Sequence, residues 1–276
     1  MATLASGCIV LWEGGSLWVF DVPAPPPDAP VPRTGTHGHH ALQLTYALEG
    51  RFGIHLPDGR RFNEPASVVA PDAEHAFTAQ GRIALLFVEP ESPAGRVVQA
   101  HVPPGAGAAA LPPMPSSQAG RIAHAMAGKP PDRAALVEIG RELTVEVVRQ
   151  LEPAVGAAPP PTSPDPPDPP DPPDPRVLRM IAWADEHLLD GDVDLPGAAA
   201  AVALSPSRAS HLFVEHTGLA FRTWLLWRRA VRAVERYAAG DSLTDAAHAA
   251  GFADSAHLSR TFRRLFGLPA TVLELR

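Results

Sequence analysis

Cysteine is almost missing: Cys8 is the only one in 276 residues. A single thiol cannot form a disulfide within the chain, which excludes a disulfide scaffold and fits a reducing compartment. Lysine is equally scarce, with Lys129 alone among 23 basic side chains. No apolar run approaches the roughly 20 residues that a membrane-spanning helix needs. No basic residue precedes Ile9-Val10-Leu11-Trp12, so a secretory signal is not expected. A soluble, cytoplasmic protein is the expectation. A chain-wide basic excess is also lacking, because the net charge is −7.

That charge is unevenly spread. Residues 1–152 carry −4, residues 153–175 carry four Asp and nothing basic, and residues 176–276 carry +1. Arg222 to Arg236 holds five arginines against Glu235 alone. A local positive face matters more for phosphate contact than the total does.

Residues 1–100 read as all-β. Short apolar stretches recur at Ile9–Trp12, Leu17–Phe20, Leu42–Leu48, Phe52–Leu56, Ser67–Val69 and Ile83–Val88, separated by turn signals such as Pro57-Asp58-Gly59. This spacing predicts a sandwich or small barrel. Residues 116–152 turn helical. Ala123 to Ala127 forms a short helix, and Asp132 starts a longer one with Leu136, Ile139, Leu143, Val147 and Leu151 in a stripe at spacings of three and four. Residues 153–175, with Asp-Pro-Pro repeated from Asp165, cannot make helix or central strand and predict a stiff acidic spacer. Residues 176–276 read as all helix, opening with Val177 to Leu189 and Leu178, Ile181, Ala182 and Leu188 inward.

The last stretch has the plainest pattern. Ser242 caps a small-residue helix, with Asp245 completing a box-like start. Gly251 stops it, and Asp254 caps a second helix that runs to Gly267. In that second helix Leu258, Thr261, Phe262 and Leu265 share one face. Such a helix, tight turn and arginine-bearing helix is the pattern of a DNA reader.

Gly251-Phe252-Ala253-Asp254-Ser255, with Leu258-Ser259-Arg260-Thr261-Phe262 and Phe266-Gly267, resembles the second helix-turn-helix of the AraC/XylS regulators. An upstream copy with Ala198 to Ala203, Leu204-Ser205-Pro206-Ser207-Arg208, Leu212-Phe213 and Thr217-Gly218 resembles the first. His37-Gly38-His39-His40-Ala41-Leu42-Gln43 with Gly50, and Pro71-Asp72-Ala73-Glu74-His75, resemble the two short cupin motifs.

The resemblance implies a two-domain chain: an all-β cupin-like barrel with trailing helices, then an all-α tandem helix-turn-helix domain. Its parts are an effector-binding barrel at 1–110, a helical segment at 111–152, the linker at 153–175 and a DNA-binding domain at 176–276, with motifs at 195–218 and 243–267. It implies a transcription regulator, an activator, that is not an enzyme. Its partners are an operator in double-stranded DNA, a small-molecule effector and RNA polymerase, with no membrane. The stripe beginning at Leu136 can pack on the strands or pair two copies; the resemblance favours a homodimer.

By the same resemblance Ser207, Ser210 and His211 in the first reading helix, and Ser255, Ala256, Ser259 and Arg260 in the second, occupy base-reading positions. Arg260 suits guanine, since its fork meets O6 and N7 together; a phosphate contact is the alternative. Arg208, Arg228, Arg229, His257, Arg263 and Arg264 are phosphate candidates. In the barrel, His37, His39, Gln43 and His75 are pocket candidates. Three imidazoles can hold Zn²⁺, Fe²⁺ or Mn²⁺, although Gln43 stands where metal-binding cupins carry an acid. A metal-free pocket is the expectation, and a metal-dependent cupin enzyme or metal sensor is the alternative. His40 is expected on the opposite side of the strand, exposed.

Overall fold

The computed structural model describes residues 4–63, 65–152, 173–188 and 193–276. The spacer predicted at 153–175 lies almost wholly outside them. The chain divides into two units, Met1–Asp171 with Thr271–Arg276, and Pro172–Ala270.

The first unit is built on a nine-stranded sheet. Strands β1 (Ala5–Trp12) and β2 (Gly15–Val22) form a hairpin, followed by β3 (Leu42–Ala47), β4 (Arg51–His55), β5 (Arg61–Asn63), β6 (Ala66–Val69) and β7 (Ala76–Val88). β8 (Ala108–Ala110) and β9 (Leu273–Leu275) lie at the two edges, in the order β8-β6-β3-β7-β2-β1-β9. β7 is the organiser. Its first five residues pair with β4, and its remainder runs between β2 and β3. The change of partner falls at Gly81, where φ is +90°, opposite Gly50 at +85°. A Cβ on Gly81 would stand 2.3 Å from the Glu49 carbonyl, and one on Gly50 2.2 Å from that of Gln80, so both positions need glycine.

The helices of this unit refine the sequence reading in two places. The region read as all-β ends in a helix, α1 (Pro93–His101), capped by Ser92 with Pro93 in its first turn. α2 (Ser116–Ala127) opens the helical stretch expected from residue 116 and contains Ala123 to Ala127. In α3 (Arg133–Leu151), the stripe of Leu136, Ile139, Leu143 and Val147 is buried in one core with Val10, Leu17, Leu44 and Leu86 of the sheet. That stripe is therefore committed to its own barrel and is not a seam between copies.

The second unit contains α4 (Pro175–His187), α5 (Leu195–Ala200), α6 (Pro206–Thr217), α7 (Phe221–Ala238), α8 (Leu243–Ala249) and α9 (Ser255–Phe266). The inward face of α4 is Val177, Met180 and Ala184, continued by Leu188. Leu178 and Ala182, expected inside, are exposed, because the stripe starts one residue earlier than read. A second difference is at the carboxyl end: the helical unit stops at Ala270, and β9 pairs in parallel with Ala5–Gly7 of β1.

Gly140 sits in the middle of α3, where glycine costs about 1 kcal/mol relative to alanine. A Cβ there would lie 2.4 Å from the Trp12 ring, so the glycine makes room for the indole. Gly140→Ala is expected to lower the unfolding midpoint by at least about 2 °C, because overpacking of about 1–3 kcal/mol outweighs the gain in helix propensity. Thermal unfolding followed by tryptophan fluorescence reads the sign; a raised midpoint contradicts the packing argument.

Candidate nucleic-acid interface and effector pocket

Each helix-turn-helix is fixed by its caps. Asp194 accepts the Gly197 N–H at 2.8 Å and starts α5. The turn carries Ala203 at φ +55°, and Ser205 then accepts the Arg208 N–H to start α6. Ala209, Leu212 and Phe213 are buried against Phe221 and Trp224 of α7. Ser207, Arg208 and His211 are exposed, and Ser210 is half-buried beside them. In the second copy Ser242 accepts the Asp245 N–H and starts α8. Its hydroxyl also donates to the Asp245 carboxylate at 2.6 Å. Gly251 turns the chain at φ +75°. Asp254 accepts the His257 N–H at 2.6 Å and opens α9.

On α9, Leu258, Thr261, Phe262, Leu265 and Phe266 are buried, with Phe262 and Phe266 rings 4.6 Å apart. Ala256, Arg260, Arg263 and Arg264 are exposed. Ser255 and Ser259 are half-buried, and the Ser259 hydroxyl donates to the Ser255 carbonyl at 2.8 Å, which occupies its proton inside the helix. His257 is half-buried with its ring edge-on to Phe252.

Two arginines in the phosphate set stand elsewhere. Arg228 donates from Nε and Nη2 to the two carboxylate oxygens of Asp185 at 2.8 and 3.0 Å, strapping α7 to α4. Its fork is committed inside the unit. Arg229 is half-buried, with Nε packed under the turn at Gly251.

In the first unit, His37, His39 and His75 come together and are all buried, with one ligand atom from each lying within 4.8 Å of the others. Each Nδ1 faces a backbone carbonyl: Gly35 for His37, Ala41 for His39 and Ala73 for His75, at 2.8–2.9 Å. A neutral ring donating from Nδ1 keeps its lone pair on Nε2. His75 Nε2 is buried with no hydrogen-bond partner. His39 Nε2 lies 3.0 Å from the Gln43 side-chain amide, which next reaches Thr45. It is the amide oxygen Oε1 that faces the ring, while the amide nitrogen donates to the Thr45 hydroxyl at 3.2 Å. Phe87, 5.3 Å from the His39 ring, backs the group.

Burial dominates the electrostatics of this trio. It holds His37 down to about 4, with the Gly35 carbonyl opposing and His39 adding to the fall. His39 is lowered by burial, and His75 is well below its ordinary value from burial and then its two neighbours. His40 differs. It is 1% exposed rather than on the surface, with Nε2 2.6 Å from Glu91 and Nδ1 3.5 Å from Asp72. Burial opposes its charge, but the carboxylates of Asp72, Glu91 and Glu89 outweigh it and push the imidazole up to about 10. Sequence reasoning missed this imidazolium because Glu91 lies 51 residues away and no local spacing announces the pairing.

Residues 198–274 match a family model described as a helix-turn-helix domain. The HTH-type transcriptional activator RhaS of Escherichia fergusonii is 37% identical over 94 residues, 33% of each chain. The transcriptional activator NphR of a Rhodococcus species is 37% identical over 94 residues, 33% of this chain and 27% of that one. The helical unit is a tandem helix-turn-helix domain. The chain spans about a third or less of the length of these curated relatives.

The whole fold has neighbours too. An apo ToxT variant from Vibrio cholerae strain SCE256 aligns over 95% of this chain and 97% of its own, with TM-score 0.57 at 8% identity. Fatty-acid-bound wild-type ToxT from the same strain aligns over 94% of each chain, with TM-score 0.51 at 7% identity. These likenesses establish the fold: a sheet-rich unit with trailing helices followed by an all-helical unit. Among the described residues no helix is long and apolar enough to cross a membrane.

The depressed imidazoles set a pH dependence. His37 is protonated in the unfolded chain below its ordinary value of 6.5 but in the folded chain only below about 4. The unfolded state therefore binds more protons between these values, and stability falls as pH drops from 6.5 toward 4. Denaturant titrations across that window are expected to show the loss, and His37→Gln to flatten it; an unchanged slope in that variant contradicts the assignment.

Proposed function

We propose that this chain is a sequence-specific DNA-binding transcription regulator whose amino-terminal unit takes a small-molecule effector. The observation that carries the reading is the pair of capped helix-turn-helix copies, each with a buried apolar face and an outward face free of large apolar groups apart from Val214. Ser207, Ser210 and His211 read bases from the first copy; Ala256 and Arg260, with Ser255 and Ser259 beside them, read from the second. Arg208, Arg263 and Arg264 grip phosphates, and His257 supports the turn. Arg228 and Arg229 brace the unit. Both curated relatives are activators, which supports promotion of transcription through RNA polymerase in the cytoplasm, and no reaction is assigned. A homodimer would use a surface other than the buried stripe of α3.

The buried histidines give the effector reading its chemistry. Fatty acid is bound in one ToxT structure, which supports a small molecule as effector for this fold. Here the orphaned Nε2 of His75 and the three carbonyl-anchored rings fit a divalent metal of the Zn²⁺ type held by His37, His39 and His75, with Gln43 as a weak fourth donor. A bound metal would supply a Lewis-acidic anchor for an anionic effector. The chain's part is to hold the rings neutral and oriented and to keep water out.

Arg260→Ala is expected to relax base preference at one operator position, costing about 1–3 kcal/mol there. Gel-shift titrations over single-base operator variants read this; equal binding to every variant by mutant and parent rejects the role. Elemental analysis of purified protein is expected to find near-stoichiometric divalent metal that is lost on His75→Ala. A metal-free parent leaves the regulator reading standing with an organic effector.

A further inference from the structure

The outer face of the β4–β5–β7 ladder carries a polar depression used by neither site above. Gly53 is paired with Thr78 on one side and Asn63 on the other, and His55 with Arg61. Arg51 stands two residues before Gly53, and Arg33 bridges to Thr78. Antiparallel partners share a face and neighbours along a strand alternate, so these side chains project together, opposite Ile54 and Phe77 of the inner core. The depression holds about 200 Å³ and is lined by Arg51, Gly53, His55, Arg61, Asn63 and Thr78, with Val31, Phe52 and Ala79 at its margins.

Its floor is the missing side chain of Gly53. A Cβ there would stand 2.8 Å from Thr78 Oγ1, 3.1 Å from His55 Nε2 and 3.3 Å from Asn63 Oδ1, so three polar tips gather where any other residue would intrude. Its rim is positive. Among the described residues Arg51 reaches only the Gln80 side-chain carbonyl, at 3.2 Å. Among the described residues no carboxylate pairs with Arg33, Arg51 or Arg61, whereas Arg60, Arg82, Arg121 and Arg149 each have one. His55 registers that field: burial and then Arg33 and Arg61 hold its imidazole below the ordinary value. Among the described residues, the guanidinium groups of Arg51 and Arg61 in the lining and of Arg33 nearby have no carboxylate partner, which suits an anion.

We infer that this depression binds a small phosphate-type dianion, free or as the head of a phosphomonoester. One arginine fork satisfies a monocarboxylate, whereas several forks converging on one depression match an anion with more oxygens and more charge; the Thr78 hydroxyl is engaged with the Gly53 carbonyl and His55 and shapes the floor. The volume admits a headgroup with a short stem and excludes a folded macromolecule. This site stands independently of the regulatory reading, since it shares no residue with the reading helices or the histidine pocket.

Calorimetric titration of the full chain in phosphate-free buffer at about 0.15 M salt, which screens non-specific attraction, tests it. The probes are inorganic phosphate and glycerol phosphate. Saturable one-to-one binding is expected, weakened about tenfold or more by Arg51→Gln and by Arg61→Gln. Gly53→Val, which fills the floor, is expected to abolish it with the circular dichroism spectrum unchanged. Tighter binding of the ester identifies a phosphorylated metabolite, and equal binding identifies free phosphate. No saturable heat with either probe up to about 10 mM overturns the site, and so do arginine variants that bind as the parent does. Both arginines are exposed, so these variants remain informative if the valine variant fails to fold.

Discussion

The bend of β7 at Gly81 is the constraint on which the first unit depends. One strand serves three partners, and it can do so only because two glycines let the backbones of Gly50 and Gly81 meet without side chains between them. Ahead of the bend the strand carries Phe77 into the small core and Thr78 to the outer face, and just before its start lies His75. After the bend it presents Leu86 and Val88 to the main core that α3 covers. The histidine group and the arginine-rimmed depression therefore flank the same half of one strand, back to back, and neither survives if that strand straightens.

The histidine group also shows how burial and hydrogen bonding divide labour. Burial removes the proton from His37, His39 and His75, and backbone carbonyls choose which nitrogen keeps the remaining one. Next door, the same burial acts on His40 and loses, because carboxylates surround it. Adjacent imidazoles in one short segment are thus held in opposite charge states by what faces them, not by their place in the chain.

Much of the helical unit was legible in advance. Ser205, Ser242 and Asp254 cap the helices that the sequence marked, and Gly251 ends the helix it was expected to end. Local chemistry decides caps, so local reading finds them. The strands were legible where they alternate or run apolar, but β5, β8 and β9 were not: three residues make no period, and Ala108–Ala110 has no β-forming side chain. The convergence of His37, His39 and His75 was visible as motif spacing. The burial of His40, the commitment of Arg228 to Asp185 and the gathering of arginines around Gly53 were not, because each depends on contacts between residues far apart in the chain. The face of α4 was misjudged by one residue, a small error in spacing that turns Leu178 from core to solvent.

The parallel pairing of β9 with β1 bears on the protein's behaviour in concentrated solution. β1 would otherwise present a row of open amide and carbonyl groups at the margin of the sheet, the kind of template on which other chains stack. Leu273–Leu275 covers the first part of that row, Ala5–Gly7, and the Arg276 amide adds a bond to the Gly7 carbonyl at 2.8 Å. Six residues at the far side of the helical unit in sequence thus shield part of the margin of a sheet that begins some 260 residues earlier in the chain.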